Sequence, residues 1–177
     1  MALFHIRTKL IQRSKGMLAI SAAAYRRATR LFDVQANRYF DYSAKKDVVH
    51  SELMIPDNSP EWIKALVALH VTDANSAAEF LWNRVEEVEK RVDAQLAREV
   101  EFSLPIELDQ VQNKILARDF IYDAFVKHSM VADWSMHWDQ GNPHVHVLLT
   151  TRELTADGFG KKVRAWNDKS LIQTHKS

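Results

Sequence analysis

Hydrophobic and polar positions change period several times along the chain, and each change marks an element. Ala2 to Leu10 alternates, with Phe4, Ile6 and Leu10 on one face and His5, Arg7 and Lys9 on the other, which predicts a half-buried strand. Ser14-Lys15-Gly16 breaks it, and the alanine-rich segment SAAAYRRATRLF from Ser21 predicts a helix. Residues 37–60 are mixed and polar, and only Val48–Leu53 reads as a short strand. Residues 60–70 predict a short helix with Pro60 near its first turn. The clearest helix follows: Ser76 with Glu79 makes a capping-box pattern, and Leu81, Val85, Val88, Val92 and Leu96 recur at helical spacing. Its charges (Arg84, Glu86, Glu87, Glu89, Lys90, Arg91) are assigned to a solvated face.

Period two returns at Glu99–Leu104, with Val100, Phe102 and Leu104 on one side and Glu99, Glu101 and Ser103 on the other, until Pro105 ends the strand. Asp109 with Gln112 starts a further helix that carries Val111, Ile115, Leu116, Phe120 and Phe125 to about His128. Trp134–Trp138 and His144–Arg152 read as strands, Asp157-Gly158 with Gly160 as a turn, and the segment from Val163 onward as the start of a helix. Strands and helices interleave without glycine-rich phosphate turns; there are only four glycines and no Walker or dinucleotide fingerprint. The fold class expected is α/β: a single-domain two-layer sandwich, a central antiparallel or mixed sheet with helices packed on it.

Composition changes this picture little. A chain of 177 residues that is 46% apolar is one domain with enough material for a core. No apolar run is long enough to span a bilayer, and the charged, alternating N-terminus is unlike a signal peptide. With no cysteine, disulfides, thiolate zinc sites and cysteine nucleophiles are excluded, a pattern that fits an intracellular chain. Charge matters more. The whole chain carries +1, yet residues 1–50 hold ten Lys/Arg against three Asp, a local balance of +7. That concentration suggests a polyanion-binding face, with an ordinary solvated surface as the alternative.

The candidate chemistry centres on HWDQGNPHVH, His137 to His146. In a strand, His144 and His146 project from the same face, and the Asn142-Pro143 turn brings His137 back over them. Three neutral imidazoles bind a divalent cation and leave positions open for substrate; the alternative is a polar strand facing solvent. Glu99 and Glu101 are either surface charges or acceptors that orient metal-bound imidazoles. Tyr25, beside Arg26, Arg27 and Arg30, is either an amphipathic core position or a side chain that meets a phosphate backbone.

These residues carry a resemblance. HWDQGNPHVHVLLTTREL resembles the histidine signature of conjugative relaxases of the MobA/MobL type, within the HUH (histidine–hydrophobic–histidine) endonucleases. SAAAYRRA resembles the segment bearing their nucleophilic tyrosine, DYSAKKDVVHSELMIPDNSP the loop and strand after it, and LWNRVEEVEKRVDAQLAREVEFSLPIEL the central helix and strand. Within the family, the chain most resembles the N-terminal relaxase domains of Ti-plasmid-type transfer proteins.

The resemblance implies the HUH relaxase fold and nicking of a plasmid origin of transfer, with Tyr25 as nucleophile and a 5′-phosphotyrosyl DNA intermediate. It implies a divalent ion, Mg or Mn, on His137, His144 and His146, with acidic residues Glu99 and Glu101 beside the site and Asp47 at a further acidic position. Single-stranded origin DNA would cross Arg26, Arg27, Arg30, Lys45 and Lys46. Accessory transfer proteins and a coupling protein are the further partners implied, in the cytoplasm of a plasmid-bearing bacterium. Residues 1–177 would then be the N-terminal relaxase domain of a longer protein. Two rivals are a non-catalytic single-stranded DNA-binding module and a cupin-type oxygenase. Cupins also use H-x-H, but they are all-β and place a glutamate three or four residues later; here the first is Glu153.

Overall fold

The strands that alternate most cleanly lie side by side. β5 (Gln95–Ser103), β7 (Asn142–Leu149) and β6 (Ala132–Asp139) are the inner members of a five-stranded sheet whose edges are β1 (Arg7–Gln12) and β4 (Val48–Met54). The order is β1-β5-β7-β6-β4, and every neighbouring pair is antiparallel. The computed structural model describes residues 5–139 and 141–167. The expected first strand is therefore seen as Arg7–Gln12, with Ala2 to Phe4 outside the described residues. The expected C-terminal helix begins as a single 3-10 turn, Arg164–Asn167, and its remainder also lies outside them.

Alternation sorts the strands into two apolar faces. Val100, Phe102, Trp134, Met136, Val145 and Val147 pack with Ala117, Ile121 and Ala124 of α4 (Gln110–Ala124). On the opposite face, Ala97, Leu148, Ile11 and Leu53 lie under α1 (Ala19–Arg27), α2 (Glu61–Thr72) and α3 (Ala74–Val88). Helices thus cover both faces, α4 adding a layer to the expected sandwich, and the all-β cupin alternative is excluded. Trp82 and Trp134, both 0% exposed, anchor one core each; burial of large apolar side chains at about 1.5–3 kcal/mol apiece is the main stabilising term. Among the described residues no helix is long and apolar enough to cross a membrane.

Several boundaries differ from expectation, for reasons that lie in tertiary contacts. The first helix stops at Arg27 because Ala28 turns left-handed (φ 53°), and Arg30–Asp33 becomes β2, paired in a hairpin with β3 (Arg38–Asp41). The third helix is capped by Asp73, whose carboxylate accepts from the Ser76 amide, while Glu79 accepts from Phe32 N at 2.9 Å and tethers β2. It ends at Val88, so Val92 is 82% exposed and Leu96 belongs to β5.

Its charges are not all solvated: Glu86 and Glu89 are buried. Glu86 accepts from the Ala19 amide at 2.6 Å and from Arg13 at 2.9 Å. It thereby satisfies the start of α1, which has no side-chain cap of its own. Glu89 binds Arg152 and Lys162, joining α3 to the hairpin of β8 (Arg152–Thr155) and β9 (Gly158–Lys162). The Asp109–Gln112 capping box of α4 forms as expected, but Val111 and Ile115 face outward.

Candidate active site

The seven-residue spacing between His137 and His144 is the length that a tight hairpin needs to set the two opposite each other. β6 and β7 join through residues 140–141, with Gly141 at φ +77°, and His137 pairs with His144 across the ladder. On the far side of β7, His146 pairs with Glu101 of β5. All three rings rise from one sheet face, with centroids 4.7–5.1 Å apart. One ligand nitrogen from each lies within 4.8 Å of the others. The solvent-facing alternative does not hold for His137, which is 3% exposed.

What surrounds the rings decides which nitrogens point inward. His137 Nδ1 lies 3.3 Å from Asp47 Oδ2, His144 Nδ1 2.8 Å from the Asn142 carbonyl, and His146 Nδ1 2.9 Å from Glu99 Oε1. At His144 and His146 the acceptor lies at Nδ1, which leaves Nε2 to face a cation, whereas His137 has an acceptor at each nitrogen, Asp47 at Nδ1 and the Arg26 carbonyl at Nε2. Burial, reinforced by the proximity of His146 and His144, pulls the His137 pKa down to about 4, which leaves that ring neutral near pH 7. Three clustered imidazoles, each with an acceptor at Nδ1, form a donor set that fits a divalent metal.

Glu99 is the hub of this arrangement. At 3% exposure it is no surface charge. Besides His146 it accepts two hydrogen bonds from Arg26, at 2.7 and 3.1 Å, and lies 3.5 Å from Lys9 Nζ. Burial opposes its ionisation, but the His146 and Arg26 hydrogen bonds and the Arg26 charge prevail and hold its pKa at about 2. A depressed carboxylate pKa adds stability that is fully present above about pH 4.5 and is lost as pH falls toward 2. The shift corresponds to roughly 3 kcal/mol. Urea unfolding of wild type and Glu99→Gln should therefore show a gap that is constant above about pH 5 and narrows below it; a gap independent of pH would contradict this assignment.

Glu101 is more exposed, its Oε1 4.0 Å from His146 Nε2. Asp47 sits just ahead of β4, where its carbonyl accepts from the Trp138 amide at 2.8 Å. Burial there works against ionisation, yet backbone hydrogen bonding and His137 hold the Asp47 carboxyl below its usual range.

Tyr25 occupies the last turn of α1 and is 42% exposed, so it is not a core position. The residue after it joins this turn to the histidines: the Arg26 carbonyl is 3.1 Å from His137 Nε2 while the Arg26 guanidinium holds Glu99. Lys45 Nζ stands 3.5 Å from the Tyr25 ring centroid and donates to the Tyr25 carbonyl at 3.1 Å, and Tyr42 packs edge-on at 5.2 Å. Spacing alone gives no hint of the Lys45 and Lys9 contacts, since both join residues far apart in the chain.

The expected phosphate contacts divide. Arg27 is a correction: it is 6% exposed, and its Nε donates to Asp133 Oδ1 at 3.0 Å, in a buried pair that Trp82 Nε1 completes at 2.8 Å. Arg26 is likewise committed to Glu99. Arg30 and Lys46 remain exposed, although Arg30 also stacks on Tyr39 at 3.6 Å.

The model of the MobA/MobL family matches residues 18–176. The chain belongs to the MobA/MobL family. A "probable conjugal transfer protein TraA" of Sinorhizobium fredii is 46% identical over 162 residues, 92% of this chain but 14% of that protein. Conjugal transfer protein TraA of Agrobacterium fabrum is 40% identical over 98% of this chain and 16% of its own length. The chain therefore spans only 14–16% of these TraA relatives. A solved structure described as "Molecular Basis of Vancomycin Resistance Transfer in Staphylococcus aureus" superposes with a TM-score of 0.83 at 30% identity, covering 98% of this chain and 86% of that one.

Proposed function

We propose that this chain is the relaxase domain of a conjugal-transfer protein, a metal-dependent nuclease and strand transferase that nicks the origin of transfer of a plasmid. The observation that supports the reading is the joining of α1 to the histidines through Arg26, whose carbonyl contacts His137 and whose guanidinium holds Glu99 beside His146, one residue after Tyr25. The Tyr25 phenolic oxygen attacks a backbone phosphorus and gives up its proton to solvent; the bond to the 3′-oxygen breaks, and that oxygen takes a proton from solvent to leave as a 3′-hydroxyl. The 5′-phosphate stays on Tyr25, so the bond energy is kept and the strand can be resealed without ATP.

His137, His144 and His146 would hold a divalent cation, Mg²⁺ or Mn²⁺, whose Lewis acidity when bound polarises a non-bridging phosphate oxygen. Asp47 and Glu99 orient two of the rings, and Lys45 and Tyr42 fix the plane of the Tyr25 ring. Glu101, beside His146, lines the approach to the same nitrogen. Single-stranded origin DNA would meet Arg30, Lys45 and Lys46 on the basic side of the site. Accessory transfer proteins and a coupling protein complete the set of partners, and the work would be done in the cytoplasm.

Incubation with single strands carrying candidate origin sequences and Mn²⁺ should yield one cut with a free 3′-hydroxyl. A chelator should stop the reaction and added Mn²⁺ restore it. Cleavage indifferent to the chelator would remove the metal from the account.

A further inference from the structure

Apart from the three histidines, a cleft of about 320 Å³ opens along the edge strand β1. Lys9, Lys15 and Arg98 line it together with Thr8, Gln12 and Met17, and among the described residues no acidic side chain does. Its size is at the lower end of small-ligand pockets, about 300–1,000 Å³. Lys15 is exposed, and Arg98 is 5% exposed.

Arg98 is the anomaly. Arg26, Arg27 and Arg152 each have a carboxylate partner: Glu99, Asp133 and Glu89. Arg98 has none among the described residues. Among the described residues its Nε is buried without an acceptor, and its Nη2 meets the Met130 sulfur at 2.9 Å, a weak acceptor. A guanidinium taken out of water with no anion beside it is an unstable arrangement unless an anion arrives. Desolvation alone lowers the Arg98 pKa to about 10, which still leaves it charged at neutral pH.

We propose that this cleft binds a phosphate group, with Arg98 as its buried donor, Lys15 at its rim, and Thr8 and Gln12 as neutral donors. A planar guanidinium with an unused Nε–H suits an oxyanion, and the Lys15 ammonium supplies further charge. Lys9 projects from the opposite sheet face, where its Nζ lies 3.5 Å from Glu99 Oε2, so its stem alone borders the cleft. The phosphate is either a backbone group of a DNA strand carried past β1 or a free phosphate or phosphomonoester. The DNA alternative rests on the function proposed above.

The test is binding of inorganic phosphate to the chain in chelator, which silences any metal at the histidines, with chloride at matched ionic strength as reference. Phosphate should raise the unfolding temperature of wild type saturably. Lys15→Glu, a surface change, should weaken the apparent affinity about tenfold, and Arg98→Met should abolish it. If Arg98→Met does not fold, Lys15→Glu decides. No shift in wild type, or equal shifts in wild type and Lys15→Glu, would overturn the proposal.

Oligonucleotide binding separates the two sources. For a DNA phosphate, a short single strand competes with inorganic phosphate, and Lys15→Glu lowers the salt slope of its binding by about 0.7. For a free phosphate, Lys15→Glu leaves oligonucleotide affinity unchanged while phosphate affinity falls. Loss of the phosphate effect with nicking intact removes the cleft alone; loss of nicking with phosphate binding intact removes the function reading alone.

Discussion

Replacing His144 by alanine is expected to abolish divalent-ion binding and to lower origin nicking by about a hundredfold or more, with the fold intact. His144 is the informative ligand because its outer nitrogen binds only the Asn142 carbonyl at the hairpin mouth. Loss of His146 would also strip a partner from buried Glu99, and loss of His137 would open a buried position, so either variant mixes chemistry with stability. The strand's apolar face, Val145 and Val147, is untouched by the change. Calorimetric titration with Mn²⁺ and urea unfolding of both proteins check the expectation. Unchanged Mn²⁺ affinity in His144→Ala would show that the three imidazoles are not the metal site.

Tyr25→Phe should remove covalent DNA adducts entirely while leaving single-strand binding nearly unchanged. Only the phenolic oxygen is lost, and the ring keeps its packing between Lys45 and Tyr42. Gel analysis of denatured reaction mixtures, beside equilibrium binding of the same strand, measures the two effects separately. Persistent adduct formation would move the nucleophile to Tyr39 or Tyr42. Tyr39 lies under the Arg30 guanidinium, and the Tyr42 hydroxyl is 3.5 Å from Ser21 Oγ.

The histidine half of this site was legible in the chain because its information is local. Period two puts His144 and His146 on one face, and the spacing to His137 matches a two-residue hairpin. The same holds for the Asp109–Gln112 capping box and for the two faces of β5. Sequence periodicity failed where distant contacts decide. Ala28 ends a helix in a left-handed conformation without the glycine that would announce it, which hid the hairpin of β2 and β3. Val92 and Leu96 continue the helical spacing of α3 by coincidence, but buried Glu89, held by Arg152 and Lys162, follows its last turn. Arg26 and Arg27 share a basic run, yet one is drawn to Glu99 and the other to Asp133, residues more than 70 positions away. Alternation alone could not reveal that Glu99 is buried, because α1 supplies the Arg26 side chain that closes over it.

Mass spectrometry distinguishes Tyr25 from any other attacking group at a phosphate brought to the three histidines. Wild-type chain is incubated with Mn²⁺ and a single strand spanning the nick, then digested with trypsin. The peptide of residues 16–26, which contains Tyr25 as its only tyrosine, should gain the mass of the 5′-phosphorylated downstream fragment less one water. Cleavage without an adduct, or an adduct on any other peptide, would contradict Tyr25 as the attacking group.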